Sequence, residues 1–261
     1  MKSAALVFGL VALLAACASP PPPVEAPQSR PNTEPADPDR RARVRLELAG
    51  LYFGRGQNDT ALEEIKLTLA AKPDLPEAFG LRGLVYASMG EARLAEDSFL
   101  RALQLAPTDG NTMHNYAWFL CQERRYPEAD AQFDKAMAQP QYREVVRTLL
   151  AQGACQARAG RWPEAERTLS RSYELDPANP ATAYNLSEVL LRRGELERAR
   201  FYVRRINAQA DQVTAQSLWL AARIERRLGN FDALQDHGRQ LRDRFPQAPE
   251  TLLFERGRFD D

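Results

Sequence analysis

From Ala42 nearly to the end of the chain, small, aromatic and proline residues recur about every 34 positions. Pro73 and Pro107 are 34 apart, and Pro177 lies 70 further on, two periods plus two residues. In the stretch Pro76 to Asp109, Phe79, Gly83 and Tyr86 follow the i, i+4, i+7 spacing of one helical face. Gly83 has no side chain and lets a second helix come close. Gly90 is placed to end the first helix, since glycine takes the left-handed conformation of a C-terminal cap. Ala95, Phe99 and Ala102 mark the buried face of a second helix. That helix stops before Pro107, because proline cannot extend a helix and turns its predecessor away from helical angles. The pattern predicts a two-helix hairpin, and its period predicts a stack of such hairpins.

The remaining units keep the pattern. The first, 42–75, carries Leu48, Ala49, Tyr52, Ala61 and Ile65; the third, 110–145, carries Tyr116, Ala117, Leu120, Ala129, Phe133 and Ala136. The fourth, 146–179, has Leu149, Gly153, Gly160, Ala165 and Leu169, and the fifth, 180–213, has Leu186, Ser187, Leu190, Gly194, Ala199 and Ile206. The sixth, 214–247, keeps Leu220, Ala221, Ile224 and Ala233 but puts His237 where an aromatic belongs. These residues resemble the tetratricopeptide-repeat (TPR) family across 42–246. The resemblance implies an all-α fold, a right-handed superhelix of about six helix-turn-helix repeats. The solenoid is expected over 40–250, with 76–109 as its second unit and 251–261 as a C-terminal tail. A solenoid offers an extended surface without a built-in reaction centre, so binding of another protein is the first expectation.

The N-terminus changes the picture of where the chain works. Met1-Lys2-Ser3 is a short positive region, Ala4 to Leu14 is apolar, and Leu14-Ala15-Ala16-Cys17 closes the run. Such a stretch is shorter than the roughly 20 apolar residues of a spanning helix and fits an export signal over 1–16. Leu-Ala-Ala-Cys resembles the bacterial lipoprotein box, which implies lipidation of Cys17; the other reading is an ordinary secretory signal with a chance cysteine. Ala18 after the cysteine implies, by the rules of that family, an outer-membrane anchor facing the periplasm. Residues 17–39 are proline-rich, with an unbroken run from Pro20 to Pro23, and nearly free of large apolar groups. They are expected to form an extended tether that holds the repeats on the order of 25 Å from the membrane.

Charge adds little: 35 basic residues balance 35 acidic ones, so no overall field points to nucleic acid. Locally, Arg192, Arg193, Arg198, Arg200, Arg204 and Arg205 outnumber Glu195 and Glu197. This stretch is either a solvated helix surface or a docking patch for an acidic partner. Two cysteines remain beside Cys17. Cys121 and Cys155 lie in first helices of neighbouring units, and the two extra residues around Pro140 to Arg143 are able to rotate the fourth unit towards the third. In an oxidising compartment the pair forms a disulfide if the Cα atoms approach within about 6.8 Å; otherwise they are two buried thiols. His114 and His237 are the only histidines, which argues against a metal site. The chain has no glycine-rich phosphate loop, no His-Glu-x-x-His and no nucleophile elbow. No cofactor, small-molecule substrate or catalytic residue is expected, and the chain reads as a non-enzyme.

In TPR proteins the first helix of each unit lines a concave groove. Carried over by position, that groove gathers Glu77, Leu81 and Leu84, then Asn111, His114, Asn115, Trp118 and Gln122. It continues through Arg147, Leu150 and Arg158 to Tyr184, Asn185, Glu188 and Arg192. Asparagine amides both donate and accept, so they suit an extended peptide backbone. Trp118 and Tyr184 are candidate anchors, with Trp118 equally able to pack between helices. The lysine positions of the carboxylate clamp found in other TPR proteins hold different residues here. Asn115-Tyr116-Ala117-Trp118-Phe119-Leu120-Cys121, then Tyr126-Pro127-Glu128-Ala129 and Gly153-Ala154-Cys155, resemble the PilF/PilW family of type IV pilus biogenesis lipoproteins. Together with the lipobox, tether, six units and paired cysteines, the resemblance spans essentially the whole chain. It implies an assembly factor, or pilotin, that binds outer-membrane secretin subunits of the pilus and supports their localisation and multimerisation. The alternative is a general periplasmic scaffold that recruits cell-wall enzymes.

Overall fold

The computed structural model describes residues 37–259, and every regular element among them is a helix. Six hairpins follow one another. They are α1 (Pro38–Gly54) with α2 (Asn58–Ala71), α3 (Pro76–Ser88) with α4 (Ala92–Leu105), and α5 (Gly110–Gln122) with α6 (Tyr126–Met137). Next come α7 (Val145–Arg158) with α8 (Trp162–Leu175), α9 (Pro180–Arg192) with α10 (Leu196–Asn207), and α11 (Ala215–Arg227) with α12 (Phe231–Arg244). A thirteenth helix, α13 (Pro249–Glu255), packs on α11 and α12. Each first helix also touches the first helix of the next unit, so the stack is continuous from α1 to α11.

The repeat rests on two punctuation marks. At the end of each first helix one residue adopts positive φ, at 56, 90, 124, 160, 194 and 229. Five of the six are glycines; Arg124, at φ 60°, is the only non-glycine residue with positive φ in the described chain. Seven residues before each mark stands a buried small residue: Ala49, Gly83, Ala117, Gly153, Ser187 and Ala222. After it, the second helix buries three positions that meet this gap: Ala61, Ile65 and Thr68; Ala95, Phe99 and Ala102; Ala129, Phe133 and Ala136. The next units continue with Ala165, Leu169 and Ser172, then Ala199, Val203 and Ile206. The small residue is required by space: a Cβ at Gly83 would stand 2.8 Å from the Phe99 ring, and one at Gly153 2.5 Å from Leu169.

The sixth unit departs from the pattern expected of its sequence. The mark at Gly229 lies 35 residues after Gly194, one more than the usual spacing, so α12 is shifted by one position. Leu234, Gly238 and Leu241 are buried in place of Ala233 and His237, and Ala222, not Ala221, fills the small position. The missing aromatic comes from α13. Phe254 occupies the space in front of Gly238 so closely that a Cβ there would overlap its ring. Residues 251–255, expected in a tail, are therefore part of this helix, with Thr251 and Phe254 buried. The helical body also starts two residues earlier than expected, at Pro38.

The two extra residues between the third and fourth units form a plug. Tyr142 is buried against Gly110, where a Cβ would lie 2.5 Å from its ring, and its hydroxyl lies 2.6 Å from Thr148 Oγ1. The longer turn thus ends inside the interface between the units.

Candidate functional site

The candidate groove residues on α3, α5, α7 and α9 are exposed or half-buried, with His114 the exception. Asn111 and Gln122 are exposed, while Asn115 and Trp118 are half-buried. The start of α5 is fixed by Asp109, whose carboxylate accepts from the Asn111 and Thr112 N–H groups at 3.0 and 3.3 Å. Across the unit boundary Arg147 Nη2 donates to Asn115 Oδ1 at 3.4 Å, and the Arg158 guanidinium stacks over the Trp118 ring at 5.4 Å. Trp118 packs on the third-unit core through part of its surface and presents the rest to Arg158. Leu81 rests half-buried against the Val85 cluster.

Further along, Tyr184 and Asn185 line an opening of about 340 Å³ with Pro180, Ala181, Ile206 and Thr214, between α9 and the start of α11. Asn185 Nδ2 donates to Ala181 O within its own helix at 2.8 Å. Glu188 accepts from Arg223 at 3.2 Å and pairs with Arg192 at 3.5 Å, so its charge is balanced from two sides.

His114 differs from its expected place. It is 5% exposed and lies inside the interface between the third and fourth units. Its Nδ1 is 2.8 Å from Thr148 Oγ1, the same hydroxyl that meets Tyr142, and its ring stands edge-on to Phe133. The position it occupies in the repeat faces the neighbouring unit, as Gly80 does against Thr112. Burial, and secondarily the charge of Arg147, lower its pKa from 6.5 to about 4. The unfolded chain therefore takes up a proton near pH 6.5 that the folded chain refuses until about pH 4. Stability from this neutral imidazole is complete above pH 6.5 and is lost as pH falls towards 4, with about 2 kcal/mol gone by pH 5. Urea denaturation at pH 7 and pH 5 is expected to show that excess loss in the parent chain and not in His114→Gln.

Cys121 and Cys155 lie together at the boundary between the third and fourth units. Both are buried, their Cα atoms are 5.9 Å apart, and the two sulfur atoms face each other. Cys17 lies outside the described residues. The arginines of the fifth unit are largely engaged: Arg193 and Arg198 meet Glu166, and Arg200 and Arg204 converge on the buried Glu225. Arg205 lies 5.8 Å over the exposed Phe201 ring. Among the described residues no group of three or more His, Cys, Asp or Glu is placed to hold a metal, and no helix is long and apolar enough to cross a membrane.

Arg124, near the groove, stands outside the pattern read from the sequence. With Tyr126, Cys121, Gln122 and Arg158 it lines a cavity of about 570 Å³ beyond the C-terminal ends of α5 and α7. The signal for it is the interrupted glycine column, in which arginine stands at 124 between Gly90 and Gly160.

Hairpins in constant register, built on small residues facing large ones, with side chains displayed along the first helices, define a tetratricopeptide-repeat protein. The tetratricopeptide-repeat family matches residues 76–109 and 156–224. The type IV pilus assembly protein PilF of Pseudomonas aeruginosa is 26% identical over 253 residues, 97% of this chain and 97% of that protein. The crystal structure of PilW, described as a widely conserved type IV pilus biogenesis factor, has a TM-score of 0.75 and 29% identity, covering 81% of this chain and 96% of PilW. The P. aeruginosa PilF structure has a TM-score of 0.71 at 23% identity, covering 84% and 99%. This chain is a PilF/PilW-like TPR protein.

Proposed function

We propose that the chain is a non-enzymatic assembly factor of type IV pilus biogenesis: an outer-membrane lipoprotein, anchored through Cys17, that binds secretin subunits along its first helices. The observation that carries this reading is the likeness to PilF along 97% of both chains, which takes in the N-terminal segment as well as the repeats. The surface supports it. Trp118 and Tyr184 offer large, partly exposed rings, and the amides of Asn111, Asn115 and Asn185 flank them on the same set of helices. In an oxidising periplasm the facing sulfurs of Cys121 and Cys155 are joined as a disulfide. The anchor has a physical purpose. Confining the groove to the membrane surface turns encounters with membrane-bound subunits into local ones and raises their effective concentration.

Affinity capture of the lipidated protein from detergent-solubilised envelopes tests the reading. A secretin is expected among the dominant partners, and its heat-resistant multimer is expected to disappear when the gene is deleted. Trp118→Ala combined with Tyr184→Ala is expected to weaken that capture at least tenfold while circular dichroism stays helical, since aromatic anchors dominate interface energies. Unchanged capture would move the site off these helices. Cys17→Ser is expected to leave a folded protein that no longer fractionates with the outer membrane; retention there would refute the anchor. Capture of cell-wall hydrolases with intact secretin multimers would instead identify a general envelope scaffold.

A further inference from the structure

The cavity beyond α5 and α7 holds two guanidinium groups, Arg124 and Arg158, and no carboxylate lines it. Neither arginine makes an ion pair among the described residues, whereas Arg192, Arg193, Arg198 and Arg204 of the fifth unit pair with Glu188, Glu166 and Glu225. Arg125, beside Arg124, is likewise taken up by Glu96 and Glu128.

Arg124 also occupies a position that costs stability. At φ 60° its Cβ is crowded against the backbone, and the equivalent place in the other five hairpins is glycine. The cap does not need its side chain, because the Arg124 N–H already donates to Cys121 O at 3.1 Å. The Arg158 guanidinium lies over the Trp118 ring, 5.4 Å from its centre. A guanidinium matches the planar, two-oxygen geometry of a carboxylate. The buried Cys121–Cys155 pair brings the ends of α5 and α7 together, with each arginine three residues after its cysteine.

We propose that Arg124 and Arg158 form a carboxylate-binding site, which takes an acidic side chain or the terminal carboxylate of a peptide segment lying along α5 and α7. This rests on the groove reading for its biological partner, but its chemistry is testable alone. The three indole N–H signals of the isotope-labelled full chain, from Trp118, Trp162 and Trp219, are followed by NMR during titration with small probes. N-acetyl-glutamate α-amide presents only a side-chain carboxylate, N-acetyl-alanine only a terminal one, and N-acetyl-glutamine α-amide neither.

A saturable shift at Trp118, absent at Trp162 and Trp219, is expected with one or both carboxylates and not with the neutral amide. The stronger of the two probes tells which source of carboxylate the site prefers. Arg124→Gly is expected to weaken this response about tenfold, a typical loss for one charge-assisted hydrogen bond. The same variant is expected to melt at a higher temperature, because glycine relieves the left-handed backbone; unfolding therefore cannot account for the lost response. Equal, non-saturating shifts at all three indoles, a response unaltered in Arg124→Gly, or saturation by inorganic phosphate alone would each overturn the proposal. If Trp118→Ala with Tyr184→Ala abolishes secretin capture while no carboxylate saturates, the groove stands and the anion site falls. If a carboxylate saturates while the parent chain captures no secretin, the anion site stands and the secretin partner falls.

Discussion

Phe99→Ala is expected to destabilise the protein by about 3–5 kcal/mol, the usual cost of emptying a fully buried aromatic site. Phe99 is completely buried, in front of Gly83 and beside Tyr116 and Phe119, each with ring centroids 5.7 Å away. The ring is the surface on which α3 rests at Gly83, so its removal empties the space between the two helices. Urea denaturation followed by circular dichroism measures the loss, with Phe201→Ala as the contrast. Phe201 is 53% exposed, and its removal is expected to stay within about 0.5 kcal/mol. In a solenoid each unit contacts only its neighbours, so hydrogen-exchange protection in Phe99→Ala is expected to fail first in α3 to α6. A loss below about 1 kcal/mol, or uniform loss of protection along the chain, would contradict this packing.

Removing the Cys121–Cys155 link is expected to cost about 3–4 kcal/mol. The two residues are 34 apart in sequence, and closing a loop of that length removes roughly this much freedom from the unfolded chain in the chain-entropy model. Cys121→Ala with Cys155→Ala tests it without placing new hydroxyls in the core, alongside the parent chain with and without reductant. The parent under reductant and the double variant are expected to unfold at similar, lower urea concentrations. If reductant leaves the parent's midpoint unchanged, the facing sulfurs are free thiols and the proposal of a periplasmic location loses a support. The pair also lies between α5 and α7 beside the longer turn that carries Tyr142, so the double variant is expected to loosen the His114–Thr148–Tyr142 cluster.

Much of the fold is legible from local pattern. The positions of Gly83, Gly90, Ala95, Phe99 and Ala102 each follow from a short-range rule: close approach, a left-handed cap, or a helical face. Repetition of those rules ties five hairpins to their correct residues. The sixth fails for an equally local reason, since one extra residue before Gly229 shifts α12 and disguises Leu234, Gly238 and Leu241. Nothing near Gly238 in sequence announces that Phe254 will fill its space.

The candidate site is less legible, and His114 shows why. Position within a helix says which face a side chain takes, but not whether a neighbouring unit covers that face. The next first helix, α7, brings Thr148 over the imidazole and the inserted turn adds Tyr142, which removes His114 from the surface. Arg124 and Arg158 come from different units, and their shared cavity exists only because α5 and α7 end side by side. Periodicity and the small-to-large alternation are thus sufficient for the hairpins, because each hairpin satisfies its own buried face with residues close in sequence. The burial of His114, the completion of the last unit by Phe254 and the pairing of charges across units require the assembled stack. They depend on contacts between residues whose proximity no local rule contains.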